Sequence, residues 1–534
     1  MNFPRPSGPA ATTIALAVSV ALVGCDSGSR QASGAAALEP RRGGTVVIGS
    51  ISDVDSWNEY VSRQSFAYRV LRRMYLELAR ETGDVDTADE PYEPELAESW
   101  SFADDGRSLT FRLREAVWSD GRPITADDVR FTWDAQRSPD VPWISAESKD
   151  RITDVEVVDA RTVTFRFDDV YPFRLADAVT GGILPKHVFG EVPFGEWATH
   201  DWSSARVASG PFVLDRHDAA NEIVLVRNPK YFRSGYPLLD RVVIRIVPDI
   251  GNLVTQLMAG EVDYVEGVPP RDAERLGGAS DVAVIAFDYP QYDFIGWNGA
   301  RAPFGDAEIR RALTLAVDRN ALVEELLYGY GKVSKGPVPS TWWGANDGFE
   351  PWGHDPDEAR RILAAKGYGP EGTPLRIDLL TNSGNRLREE MLVKIQEQLR
   401  RVGVEATVHP VEMRTMRQQV ASGDYDGYLG GWAFFGKVDL RSLFGSSATP
   451  PHGINVVGYR SNDVDGLLDA LDRARTKQEM KPKLDAIQLA IHDDQPYTFL
   501  YEMQKITAHA PHLHGVKIVT PSDTLADLEQ FWID

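Results

Sequence analysis

The chain of 534 residues is too long for one hydrophobic core, so two or three domains are expected. Its 43% hydrophobic content with mixed charge is that of a soluble globular protein, and a formal net charge of −22 excludes nucleic acid or an anionic membrane surface as the partner of a folded face. Cys25 is the single cysteine, which excludes an internal disulfide and any multi-cysteine metal site.

Arg5 forms a thin positive region, and Thr12 to Val23 is an apolar run too short to cross a bilayer as a permanent helix. Residues 1–24 therefore read as a secretory signal peptide. Leu22-Val23-Gly24-Cys25 resembles the bacterial lipobox, whose cysteine receives a diacylglyceryl thioether and becomes the new amino terminus. The alternative is a leftover thiol in a discarded signal. Small residues before Cys25 and polar ones after it favour lipidation, and two or more acyl chains give stable anchoring. Residues 25–42, rich in Ser, Ala, Gly and charge, read as a flexible tether.

Gly44 to Ser50 reads as a short strand, followed by the loop Asp55-Ser56-Trp57-Asn58. Phe66 to Leu78 has apolar residues at helical spacing. From Tyr92 to Asp134 the patterning is strongest. Trp100 and Phe102 alternate with polar neighbours, Asp104-Asp105-Gly106 supplies a turn, and Leu109, Phe111 and Leu113 alternate on the return, which predicts a hairpin with one apolar face. Thr125 is placed to cap a helix from Ala126, with Asp128 reaching back to the Thr125 amide. Ile152 to Phe167 predicts a second hairpin around Asp159-Ala160, paired with the first.

Further on, Glu222 to Arg227 and Val242 to Val247 read as strands and Leu253 to Met258 as a helix. A helix carrying Ile309, Leu313, Ala316 and Val317 on one face leaves Arg310 and Arg311 solvated. Asp355 opens a helix that Gly367 ends. Leu375 to Leu380, Arg388 to Val402 and Val404 to Val411 predict strand, helix and strand, a parallel crossover. Leu429-Gly430-Gly431-Trp432 reads as a strand ending in a glycine-rich turn, and Gln488 to Tyr501 as a helix and a returning strand.

PELAESW, followed by LTFRLREAVWSDGRPITADDVRFTWD, resembles the signature of the family 5 extracellular solute-binding proteins, the peptide- and nickel-type components that feed ABC importers. Asn228-Pro229-Lys230-Tyr231-Phe232, the stretch from Tyr292 to Leu326 and Gln488 to Tyr501 match further landmarks in order. The resemblance implies an α/β, two-lobed periplasmic-binding-protein fold (type II, with an extra insertion subdomain) and a hinge between the lobes. It divides the chain into a hub domain (43–79, 206–290 and 500–534), an insertion subdomain (80–205) and a second lobe (291–499). It implies a monomer at the periplasm or the extracytoplasmic face of the cell membrane, lipid-anchored after export. The implied partners are a small-molecule or peptide solute and the membrane permease subunits, with no cofactor and no nucleic acid.

Chemistry other than binding finds little support in the residues. No Gly-x-Ser-x-Gly, His-Glu-x-x-His or P-loop motif occurs, so no catalytic residue is nominated. The pairs Asp104-Asp105, Asp127-Asp128 and Asp493-Asp494 would have to face one cleft about 5 to 10 Å apart to serve a secreted glycosidase. Adjacent carboxylates on a turn or helix start point apart, and capping explains them better. His509, His512 and His514 have a spacing that could hold a metal, but lie around Pro511 and Gly515 in what reads as a turn, so no metal site is assigned. A sensing or scaffolding lipoprotein is the remaining alternative.

Ligand contacts are expected where the family's segments line the cleft: Asn58, Ser65, Tyr292, Trp297, Trp342, Trp432, Phe434 and Phe435. For Trp297, on an alternating strand, core packing is an equal alternative. Peptide-binding members carry an aspartate three residues after the Gly-Trp pair to receive the ligand's α-ammonium group, and here that position is Phe435. Losing a buried carboxylate partner costs an ammonium about 2 to 5 kcal/mol. The expected ligand therefore does not present a free peptide amino terminus there, unless Asp439 substitutes.

Overall fold

The computed structural model describes residues 39–82, 91–278, 281–369, 372–434 and 438–534, so Cys25 and Phe435 lie outside the described residues. Two large sheets organise the chain. In the first, seven strands run in the order Ala283–Phe287, Lys505–His509, Tyr264–Glu266, Thr45–Ser50, Arg241–Ile246, Glu222–Arg227, Phe212–Asp218. Thr45–Ser50 is parallel to both of its neighbours. Val46 and Ile48 are buried in the main core on one face, while Val47 packs against a separate cluster of Leu253, Val254 and Leu257 on the other. A central strand covered on both sides is why this segment reads as a nearly continuous apolar run.

The two predicted hairpins join into a four-stranded antiparallel sheet through Ser108–Leu113 and Thr162–Phe167. Leu109, Phe111, Leu113, Val163 and Phe165 bury its apolar face. The helix Ala126–Arg137 begins in the expected capping box, with Asp128 accepting the Thr125 amide at 2.9 Å. The same carboxylate also accepts the Lys186 amide at 3.0 Å, so it ties the helix start to a second segment.

The second large sheet has six strands in the order Gly331–Val333, Tyr497–Met503, Gln291–Trp297, Gly427–Ala433, Leu375–Asn382, Val404–Val411. Leu375–Asn382 and Val404–Val411 are parallel and are connected by the helix Arg386–Arg401, as the sequence pattern predicts. The chain passes between the two large sheets twice, at residues 288–290 and at Gln504. Asp288 fastens these crossings together, accepting from Gln504 Nε2 at 2.9 Å and from Lys332 Nζ at 2.7 Å. Residues 500–503 still pair in the second sheet, so the return to the first sheet comes at Gln504 rather than at residue 500.

Three local expectations differ from the structure. The helix expected over Phe66 to Leu78 stops at Leu71. The carbonyls of Arg73 and Met74 instead accept the amides of Phe212, Ser209 and Gly210 at 2.7–3.1 Å, and a Cβ on Gly210 would sit 2.5 Å from the Arg73 oxygen. Close approach of a distant segment has replaced helical hydrogen bonding. Arg310 is buried rather than solvated. Its guanidinium donates to the carbonyls of Asp494, Gln495 and Phe304 at 2.7–3.1 Å, satisfying the end of the helix Lys477–Asp494. Finally, Gly430 and Gly431 lie inside Gly427–Ala433 and form no turn, pairing with Phe294 and Asp293. They are glycines because neighbouring side chains fill the space, as described below.

A buried polar junction holds the insertion sheet to the first large sheet. Glu59 accepts the Gly182 amide at 3.1 Å, Tyr60 Oη donates to the Gly182 carbonyl at 2.6 Å, and Gln136 bonds both Tyr60 Oη and the Thr180 carbonyl at 3.1 Å. Lys149, fully buried, donates to the Thr180 carbonyl at 2.8 Å. Burial raises the Glu59 carboxyl to about 7 against the pull of Arg72, and lowers the Lys149 ammonium to about 7 against Asp177.

Candidate functional site

The strand Gln291–Trp297 decides the geometry, because its alternating residues enter different environments. Asp293, Ile295 and Trp297 face the helices of the second lobe, while Tyr292, Phe294 and Gly296 face a separate aromatic cluster. Directly opposed residues in an antiparallel sheet share a face. Tyr292 pairs with Trp432, Lys332 pairs with Glu502, and continuing the Asp293–Tyr501 register by one residue sets Tyr292 beside Glu502. Lys332, Glu502, Tyr292 and Trp432 thus form one row across four strands. It lies one row short of both crossings to the first sheet, with Gly331 paired to Met503 and Gln291 paired to Ala433 beyond it, at the end of the second lobe nearest the hinge.

Aromatic rings surround this row. Tyr292 lies 5.7 Å from Phe434 and 5.5 Å from Phe499 between ring centroids, and Phe294 stacks on Tyr497 at 3.9 Å. Trp342 and Trp343, 4.9 Å apart, belong to the same cluster. Phe173 packs against this cluster and against the main core of the first lobe, so it marks where the lobes meet. The polar groups are few. Glu502, 4% exposed, accepts the Ser340 amide at 3.1 Å and its hydroxyl at 2.5 Å, and burial raises its carboxyl above the ordinary range against those bonds. Tyr292, 0% exposed, has a hydroxyl with no hydrogen-bond partner among the described residues. An apolar, aromatic cleft floor with a few oriented polar groups at a domain junction is the composition of a small-solute site.

Residues 91–447 match the family model described as bacterial extracellular solute-binding proteins, family 5 Middle. The chain belongs to that family. As a family 5 solute-binding protein it has similar relatives along nearly its whole length. The oligopeptide-binding protein AppA of Bacillus subtilis is 29% identical over 545 residues, covering 98% of each chain. Heme-binding protein A of Haemophilus influenzae is 28% identical over 431 residues, covering 76% of this chain and 78% of its own. The structure of B. subtilis AppA in complex with a nonapeptide superposes with a TM-score of 0.75 at 27% identity, covering 93% of this chain and 100% of that one. The two-lobed periplasmic binding-protein fold is thereby established, and the family's members are solute-binding proteins rather than enzymes.

Within this solute-binding protein the sequence-predicted contacts separate into groups. Tyr292, Trp342, Trp432 and Phe434 come together in the aromatic cluster, where Trp432 Nε1 donates to Tyr497 Oη at 3.4 Å. Trp297 does not join them. It is 1% exposed, stacks on Phe304 at 5.6 Å and donates to Thr498 Oγ1 at 3.0 Å, on the opposite face of the sheet. Asn58 is buried in the first lobe, its Oδ1 accepting the Tyr60 amide at 3.0 Å while Nδ2 makes no hydrogen bond. Ser65 is exposed at the start of the helix Ser65–Leu71. Glu502, Ser340 and Phe173 were not identified from sequence. Glu502 is an acid inside the apolar run Tyr497–Met503, and Phe173 follows Tyr171-Pro172; both were signals of a polar or exposed role.

Several of the other titratable groups singled out in the sequence have local partners. His512 Nε2 lies 2.9 Å from Asp263 Oδ1, His509 Nδ1 lies 2.9 Å from the Ala510 carbonyl, and His514 stacks on Trp532 at 4.2 Å. Asp105 accepts the Arg107 amide at 2.9 Å, and Asp494 accepts from Tyr459 Oη at 2.7 Å. Among the described residues no group of three or more His, Cys, Asp or Glu side chains is arranged to hold a metal ion, and no helix is long and apolar enough to cross a membrane.

Proposed function

We propose that the protein captures a peptide or peptide-like solute between its lobes and delivers it to the permease subunits of an ABC importer, tethered at the extracytoplasmic face through a lipid on Cys25. The observation that carries this reading is the aromatic row Tyr292–Trp432 at the hinge end of the second lobe, met by Phe173 from the first. Resemblance over 98% of the chain to an oligopeptide-binding protein supports a peptide. The hub would comprise residues 43–79, 206–290 and the segment after Gln504, with 80–205 inserted and 291–503 forming the second lobe. Two linked crossings allow the lobes to close as rigid bodies, and a closed form favoured by solute is what the permease would select.

Native mass spectrometry of the gently purified protein tests the solute: a retained mass that fragments as a peptide is expected, and a retained non-peptide overturns the peptide assignment. For the anchor, Cys25→Ser expressed in a bacterium should move from the detergent-rich to the aqueous phase on Triton X-114 partition. Unchanged partition would remove the lipidation assignment.

A further inference from the structure

The row that crosses the floor of the cleft is chemically lopsided. Tyr292 Oη is completely buried and has no hydrogen-bond partner among the described residues, and its neighbour across the strands is the buried carboxylate of Glu502. A phenol that could simply donate to an adjacent carboxylate would do so, since leaving a buried hydroxyl unmade is unfavourable. Here Glu502 takes its hydrogen bonds, among the described residues, from Ser340: Oε1 accepts the amide at 3.2 Å, and Oε2 accepts the amide at 3.1 Å and the hydroxyl at 2.5 Å, while a carboxylate has about four acceptor positions. Lys332, the cation of the same row, is committed elsewhere, 2.7 Å from Asp288. Thr341 Oγ1, next along the loop from Ser340, is also buried without a partner among the described residues. Trp432 opposes Tyr292 across the strands and the Phe434 ring centroid lies 5.7 Å from that of Tyr292, and aromatic faces attract cations.

Resting on the proposed solute-capture function, we infer that Glu502 and Tyr292 form a cation subsite of the cleft, which receives an ammonium group of the solute. The ammonium donates one hydrogen bond to a remaining acceptor position of the Glu502 carboxylate and another to Tyr292 Oη, beside the aromatic cluster. The subsite lies on strands Tyr497–Met503 and Gln291–Trp297, not at position 435, where the chain has no carboxylate to offer.

Isothermal titration of the full exported chain with a pool of short peptides lacking Lys and Arg, and with the same pool acetylated at the amino terminus, tests this. With the free pool, wild-type protein is expected to bind about 10- to 100-fold more tightly than with the acetylated pool. Glu502→Gln, which keeps an acceptor for Ser340, should lose that preference. Tyr292→Phe removes only an unbonded oxygen, so it should leave the urea midpoint unchanged or higher while weakening the free pool several-fold. Equal binding of both pools by wild-type, or an unchanged preference in Glu502→Gln, overturns the cation subsite and leaves peptide capture standing. No binding of either pool overturns the peptide reading and the subsite with it.

Discussion

Gly431→Ala is the substitution for which the structure gives the clearest energetic statement. In an open strand position Ala is better than Gly by roughly 0.5 to 1 kcal/mol, because it loses less backbone entropy on folding. Here a Cβ would stand within the Asp293 carboxylate and 2.5 Å from Arg388 Nη2. Asp293 and Arg388 form a bidentate pair at 2.9–3.0 Å with side chains only 17% and 18% exposed, and Tyr501 Oη donates to the same carboxylate at 2.9 Å. The methyl has to displace this pair, and separating a largely buried ion pair costs about 3 to 5 kcal/mol. After subtracting the entropic gain, a net loss of about 2 to 4 kcal/mol in urea unfolding is expected. Asp293→Ala removes the obstacle, so the double variant should be less destabilised than the sum of the two single ones, a coupling readable from a double-mutant cycle. A Gly431→Ala protein as stable as wild-type, or more so, would refute the steric reading of the strand.

Three other outcomes follow from the same packing. Arg310→Lys keeps the charge but cannot reach all three carbonyls, and should lower the unfolding free energy by about 2 kcal/mol in urea titration. Trp297→Ala should cost about 3 to 5 kcal/mol of stability with solute affinity per folded molecule retained, whereas Trp432→Ala should weaken solute binding in calorimetry with a smaller effect on stability. Glu59, raised from an ordinary 4.5 to about 7, binds its proton more tightly when folded, so its contribution is fully present below pH 4.5 and is lost as pH rises through 7, by up to about 3 kcal/mol. The stability of Glu59→Gln relative to wild-type should therefore increase between pH 5 and pH 7.5 in thermal unfolding; a constant difference would contradict a burial-raised carboxyl.

Much of the fold was legible because local pattern and tertiary environment agree. The hairpins around Gly106 and Ala160, the Thr125–Asp128 capping box and the crossover through Arg386–Arg401 depend on turn chemistry, reciprocal capping and periodicity within single segments. Misreadings occurred where a distant segment overrides the local signal. Arg310 reads as solvated from its own helix, since only the fold brings the carbonyls of Asp494 and Gln495 to it. Gly430-Gly431 reads as a turn because the Asp293–Arg388 pair that requires glycine at 431 comes from a neighbouring strand and a helix, although the Tyr428 ring that crowds Gly430 belongs to the same strand. The site was partly legible for the same reason. Its aromatics carry a signal in sequence, whereas the pairing of Glu502 with Tyr292 is a register between strands some two hundred residues apart.

The strand Gln291–Trp297 also explains how solute preference can vary while the lobe stays folded. Its two faces have different surroundings: Asp293, Ile295 and Trp297 bind the strand to Arg388, Phe304 and the lobe helices, and Tyr292 and Phe294 enter the aromatic cluster. Because alternate residues point to opposite faces, exchange of Tyr292, Trp432 or Glu502 leaves the packing that Trp297 maintains untouched, and under the proposed site it is expected to alter what the cleft recognises. The reverse holds for the Tyr92 to Asp134 unit, whose hairpin and capped helix pack in the insertion sheet away from that row. A stretch fixed by capping and core burial identifies the family, and for that reason it says little about the solute. Differences in solute among relatives are therefore expected to concentrate on the cleft face of this one strand and its two neighbours, where a substitution changes recognition at little cost to folding.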